Sequence, residues 1–127
     1  NRLKLERHSG ASKQTRRYTY NLNGAVIKAR DVSGHTAYAY DALGRVTSER
    51  KRVRDKTRKF RARFTKTVAS TYDKAGNRTS VTYPGGRTLR FTYDKRNLLS
   101  TVVDGAETTT YAYDANGNRV SLTLPNG

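Results

Sequence analysis

The segment Tyr72–Thr92, YDKAGNRTSVTYPGGRTLRFT, decides the fold. It opens on Tyr72-Asp73 and closes its first turn at Gly76. It turns again at Pro84-Gly85-Gly86 and returns through Leu89 and Phe91 to the next Tyr-Asp pair at Tyr93-Asp94. An Asp at the first position of a turn accepts a bond from the backbone two residues on, and Gly or Asn at the fourth tolerates a positive φ. A type I turn closed by a left-handed residue is a common hairpin connection. Two tight turns with Thr-, Val- and Tyr-rich runs between them predict two short antiparallel strands per unit.

The same dyad recurs on both sides: Tyr20-Asn21, Tyr40-Asp41, Tyr72-Asp73, Tyr93-Asp94 and Tyr113-Asp114, at spacings of 20, 32, 21 and 20 residues. Each is followed by a turn cluster, ending at Gly24, Gly44, Gly76, Asn97 and Gly117. A second cluster comes about ten residues later, at Val32-Ser33-Gly34, Pro84-Gly85-Gly86, Val103-Asp104-Gly105 and Pro125-Asn126-Gly127. Strand alternation puts Tyr18 with Tyr20, Tyr38 with Tyr40, Phe91 with Tyr93, and Tyr111 with Tyr113 on one face. The expectation is an all-β chain of antiparallel β-hairpin repeats, about eleven strands in about five repeats over residues 1–127. So wide a sheet usually curls, which predicts a curved or spiralling sheet with rows of Tyr pairs as its packing layer.

Composition alone argues the other way. Of 127 residues, 26 are Lys or Arg and 10 Asp or Glu, a formal net charge of +16. Leu, Ile, Val and Phe together number 22, which is below the ~20% at which a highly charged chain reads as disordered. The 17 Thr and 9 Tyr are strand formers and, set in a fixed period, outweigh that vote. The absence of Cys removes disulfides, Cys-based zinc, iron–sulfur clusters and a thiol nucleophile. No run of ~18 apolar residues predicts a membrane span. With Asn1 first and no Met, the chain reads as a processed product or an excised piece. Both ends fall inside a repeat. A repeat array needs caps and its open edge strands pair with other chains, so further wall in the parent protein, or self-association, is expected.

The Tyr-Asp-x-x-Gly core at Tyr40–Val46, Tyr72–Thr79 and Tyr113–Val120, with the following x-Gly turn and closing Tyr/Phe-x-Tyr, strongly resembles the Rhs/YD-repeat family. The resemblance covers about Arg17 to Gly127. It implies part of a hollow β-sheet shell. In bacterial polymorphic and insecticidal toxins such a shell encloses a C-terminal effector, and in animal teneurins a related one serves adhesion. It also implies a secreted or cell-surface protein whose partners are the remaining shell segments and an enclosed effector polypeptide. Some toxin shells end in an Asp-Pro-x-Gly autoproteolytic motif. Pro84 and Pro125 follow Tyr83 and Leu124, so self-cleavage is not carried here. The residues expected to matter are structural: Tyr20, Tyr40, Tyr72, Tyr93 and Tyr113; Asp41, Asp73, Asp94 and Asp114; Gly24, Gly44, Gly76 and Gly117.

The unit between Tyr40 and Tyr72 is 12 residues too long, and the excess coincides with Glu49–Lys66, residues 49–66, where ten basic and two acidic residues give half the chain's net charge. Two extended strands with a turn near Asp55–Arg58 are expected, a basic hairpin carrying Arg50, Arg52, Arg54, Arg58, Lys59, Arg61 and Arg63. The alternative to a shell segment is a binding module in which this hairpin holds a polyanion: nucleic acid, sulfated glycan, teichoic acid or acidic lipid headgroups. Two plainer readings stand beside it, an edge guarded by charge and contact with an acidic part of the assembly. His8 and His35 lack partners at metal spacing. Asp114–Asn118 mimics the start of a calcium loop but lacks Gly at the sixth position and Glu at the twelfth, so a capped turn is the better reading. No nucleotide-loop or nucleophile-elbow motif occurs. No enzyme, catalytic residue, metal or cofactor is expected.

Overall fold

A computed structural model describes residues 3–7, 15–54 and 63–126. Among the described residues there are eleven strands and no helix, and so none long and apolar enough to cross a membrane. The strands are β1 (Leu3–Arg7), β2 (Thr15–Tyr20), β3 (Val26–Arg30), β4 (Gly34–Tyr40), β5 (Val46–Arg54), β6 (Arg63–Tyr72), β7 (Arg78–Thr82), β8 (Thr88–Tyr93), β9 (Leu99–Asp104), β10 (Glu107–Tyr113) and β11 (Arg119–Thr123). The chain forms two compact units, Asn1–Val68 and Ala69–Gly127. In each, strands adjacent in sequence pair antiparallel: β1 to β5 in the first, β7 to β11, joined by the end of β6, in the second.

The predicted turns form. After Tyr20, Tyr40, Tyr72, Tyr93 and Tyr113 the chain makes one geometry five times. Residue i+3 donates its N–H to the carbonyl of residue i, and residue i donates to the carbonyl of i+4, as with Gly44 to Asp41 at 3.1 Å and Asp41 to Arg45 at 3.0 Å. The fourth position is left-handed in all five, and Asn97, at φ 62°, is the one non-glycine among the described residues with positive φ. The turn at Tyr83–Arg87 closes with the same two backbone bonds. Gly85 at φ 100° sits in its third position, so Pro84-Gly85 makes it type II where the Asp turns are type I.

Each Tyr also marks a β-bulge. The register steps between Thr19 and Tyr20, Ala39 and Tyr40, Thr71 and Tyr72, Thr92 and Tyr93, and Ala112 and Tyr113. One residue is left over on the facing strand each time, and such a bulge raises the local twist. At the third, the Thr71 hydroxyl sits 2.8 Å from that of Thr79 and 2.6 Å from that of Ser80, two residues opposing one.

Little is buried. Val81, 3% exposed, is the one buried apolar side chain among the described residues. It faces Leu89, and Phe91 faces Val102 in the same unit; all three neighbours are half-buried. Leu22 and Leu43, at turn tips, are 97% and 72% exposed. The expected rows of Tyr pairs are not how the rings meet. Among the described residues the ring pair is Tyr18 with Tyr20, 6.5 Å apart and tilted by 42°, on one strand. The ladders are held by backbone bonds, and the phenols serve another purpose.

Candidate functional site

Three of the five tyrosines predicted from the repeat, Tyr40, Tyr93 and Tyr113, act through their hydroxyls. Tyr40 donates to the Val26 carbonyl at 2.7 Å, Tyr93 to that of Arg78 at 2.9 Å, and Tyr113 to that of Leu99 at 2.9 Å. Each acceptor is the first residue of the preceding strand. Pairing between β3 and β4 stops at Lys28 and Ala37, and that between β9 and β10 at Thr101 and Thr110. Where one hairpin parts from the next, the phenol reaches back and satisfies a carbonyl that the ladder no longer serves. The repeat residue thus joins successive hairpins.

The aspartates work within their turns. Asp41 Oδ1 accepts the N–H groups of Leu43 and Arg45, each at 3.0 Å, and Asp94 Oδ1 accepts those of Arg96 at 2.8 Å and Leu98 at 2.9 Å. Asp73 Oδ1 accepts from Asn77, and Asp114 Oδ1 from Asn118, each at 2.8 Å. Asp114 spends its second oxygen on the Asn118 amide at 3.0 Å, so the segment that resembled a calcium loop is a capped turn. In the second unit neighbouring turns are linked to each other. Asn77 donates to Asn97 at 2.9 Å, and Arg96 donates to the carbonyls of Asp114 at 2.7 Å and Ala115 at 3.3 Å. At the opposite end of the strands Arg87 forks onto Asp104.

These bonds hold the turn carboxylates below the ordinary value of 3.8. The backbone N–H of Arg45 is the largest cause for Asp41, that of Leu98 for Asp94, and the Asn118 side chain for Asp114. At Asp73 burial pushes upward, but the bonds from Asn77, Gly76 and Ala75 together outweigh it. A carboxyl whose folded pKa is depressed stabilises the fold above its unfolded pKa and loses that contribution as pH falls through the folded value. The melting temperature should therefore fall as pH drops from about 5 to about 2.5. Asn21 supplies the control, since its Oδ1 accepts the Ala25 N–H at 2.9 Å without charge. Replacing Asp41, Asp73, Asp94 and Asp114 by Asn should keep the turns and flatten that acid dependence, as a melting series would record. An unchanged pH slope would show that these carboxylates are not its source.

The lengthened strands of the basic insert are present: β5 has nine residues and β6 ten. Arg50 and Arg52 are exposed on β5. The backbones of Arg54 and Arg63 lie at the ends of β5 and β6. Arg58, Lys59, Arg61 and the expected turn near Asp55–Arg58 lie outside the described residues, as does His8.

The register shows what the sequence reading missed. Arg17 faces Arg30 across β2 and β3, Arg30 faces His35 across β3 and β4, and His35 faces Arg52 across β4 and β5. Beside this row Thr19 faces Lys28, Lys28 faces Ala37, and Ala37 faces Arg50. Paired residues share a face, so Arg17, Lys28, Arg30, His35, Arg50 and Arg52 lie on one face of the first unit. Burial, followed by the charges of Lys28, Arg52, Arg30 and Arg50, lowers the His35 pKa. Tyr18, Thr36 and Lys51, joined by the next register row through Ala29, lie on the other face.

Among known sequences, the profile of the family described as RHS Repeat matches residues 20–53, 72–108 and 105–127, well over half of the chain. No curated protein matches. A crystal structure described as TcdB2-TccC3-Cdc42 superposes with a TM-score of 0.73 at 18% identity, over 91% of this chain and 6% of that one. Another, described as TcdB2-TccC3-TEV, gives 0.68 at 15% identity, over 96% of this chain and 8% of that one. At these identities the likeness is one of fold, and the chain spans a small fraction of either structure.

Proposed function

The chain belongs to the RHS repeat family, and on that premise we propose that it is a segment of the β-sheet shell of a secreted Tc-type toxin, a wall that encloses an effector polypeptide. The observation that carries the reading is the near-absence of a core. Among the described residues one apolar side chain is buried, while within each unit successive hairpins are bonded through ladder and phenol. A globular domain invests its apolar surface in its own interior. This chain invests in lateral continuity and leaves both sheet faces for other polypeptide. The likeness to two TcdB2-TccC3 structures supports the toxin context, and its partners are then further shell segments and the enclosed effector. The role is structural rather than catalytic.

The open reading frame around the segment gives the first check. Further Tyr-Asp units followed by Asp-Pro-x-Gly and an unrelated C-terminal domain are expected. The whole polypeptide it encodes, treated with trypsin, should then keep that C-terminal domain intact until urea unfolds the wall. Cleavage as fast as that of the isolated C-terminal domain would remove the enclosing role.

A further inference from the structure

The cations that distinguish the first unit are not confined to the lengthened hairpin. Four of the six on the shared face, Arg17, Lys28, Arg30 and His35, come from β2, β3 and β4, outside residues 49–66. Only the register brings them beside Arg50 and Arg52. The second unit is built on the same hairpins, yet its corresponding face is rich in hydroxyls and carries one cation, Arg90, which faces Ser80 and Val103. Thr92 faces Thr101, which faces Thr110, which faces Thr123. The hydroxyls of Thr92 and Thr101 lie 2.7 Å apart. The fold therefore does not require cations at these positions. Like charges directly opposed across strands are destabilising, so Arg17 facing Arg30 is a cost that the second unit, where Arg90 faces Val103, avoids.

We propose that this face of β2–β5 is a docking surface for an extended acidic segment of another polypeptide. Its spacing fits that occupant. Adjacent strands place cations about 4.8 Å apart across the sheet, and alternate residues on one strand, Lys28 with Arg30 and Arg50 with Arg52, lie about 6.8 Å apart. An extended peptide carries the carboxylates of every second residue at that same ~6.8 Å repeat. The guanidinium fork matches a carboxylate in two bonds. The residues between the cations, Thr19, Ala37 and Ala39, are small, so a flat ribbon meets no obstruction. The face also lacks what single-stranded nucleic acid requires. Bases stack on aromatic rings, and Tyr18, its ring neighbour Tyr20 and Tyr38 belong to the opposite face. The choice of a polypeptide over another polyanion rests on the shell reading, in which polypeptide is what meets the wall.

The test uses the 127-residue chain and a labelled peptide of alternating Glu and Thr, about sixteen residues long, in about 150 mM salt, where charges beyond ~8 Å are screened. Two variants remove equal charge. One carries Lys28→Ser, Arg30→Ser, Arg50→Ser and Arg52→Ser. The other carries Lys51→Ser, Lys74→Ser, Lys95→Ser and Arg119→Ser, all exposed and none on the face. Anisotropy should show the first weakening binding by about twentyfold or more and the second by about threefold at most. Equal losses would mean that net charge alone binds the peptide, and would overturn the proposal. So would an absence of binding, or tighter face-dependent binding of duplex DNA or heparin than of the peptide. His35 gives an independent readout that does not depend on any variant folding. Neutralising Lys28 and Arg30 on β3, Arg50 and Arg52 on β5, and Arg17 on β2 with bound carboxylates should raise its NMR-measured pKa. An unmoved His35 would place the peptide elsewhere. Either failure leaves the enclosing role intact, because protease protection in the whole polypeptide tests that separately.

Discussion

Gly34→Ala is expected to lower stability by about 3 kcal/mol, in the upper range for overpacking, and to melt the first unit's ladder locally. The reason is a close backbone approach. A Cβ built on Gly34 would stand 1.9 Å from the carbonyl oxygen of Arg52, 2.9 Å from its carbon and 3.2 Å from Cα of Val53. No flexible side chain is available to yield. The β4–β5 register runs through seven pairs from Gly34–Val53 to Tyr40–Val46, so the added methyl must open its first rung or shift the strand. Asp31 makes the turn before it rigid, accepting the N–H groups of Ser33 at 2.8 Å and Gly34 at 3.0 Å. Gly24→Ala is the control. Its φ is 80°, but nothing lies within 4 Å of its added Cβ, so it costs only the left-handed conformation, about 1 kcal/mol. Thermal melting should separate the two variants clearly, by several degrees for each kcal/mol of difference. Amide exchange should show β4 and β5 losing protection while β8 to β10 keep theirs. Equal melting points for the two variants would mean that the approach is relieved at no cost.

The same glycine shows where the sequence was legible and where it was not. Its place in a turn cluster with Val32 and Ser33 is a local property, and local properties were readable: the five Tyr turns, the left-handed fourth residues and the Asp caps follow from turn chemistry within five residues. Strand lengths followed as well, including the long pair around the basic insert. What Gly34 does is set by Arg52, eighteen residues away, and nothing local fixes that pairing. The bulges were hidden for the same reason. A leftover residue such as Thr79 shows only when Thr71 and Ser80 are known to be partners. The basic face escaped notice because a charge run within 49–66 is conspicuous in one dimension, whereas Arg17, Arg30 and His35 join Arg52 only through three successive registers. Same-face spacing predicts rows of aromatic pairs, but it fixes the side of the sheet and not which atoms touch.

If the repeat tyrosines contributed only by ring packing, Phe would replace them at no loss, since the ring is kept and a polar atom is removed. The bonds from Tyr40 to Val26, Tyr93 to Arg78 and Tyr113 to Leu99 predict otherwise. Each substitution leaves a carbonyl at the parting of two hairpins without its donor, and one such bond contributes about 0.5–1.5 kcal/mol. The triple variant Tyr40→Phe, Tyr93→Phe and Tyr113→Phe should lose about 3 kcal/mol, close to the sum of the single variants, because the three acceptors are distinct and share no partner. Chemical denaturation measures the total. Hydrogen exchange locates it: loss of protection should begin in the first residues of β3, β7 and β9, where the acceptors lie, and spare the hairpin interiors. Water can reach part of this edge and recover some of each bond, which sets the lower end of the range. A triple variant as stable as the parent would return the tyrosines to the packing role that same-face spacing suggested. A loss confined to the strand starts would show that a repeat with almost no interior holds these hairpins together through the phenols of Tyr40, Tyr93 and Tyr113.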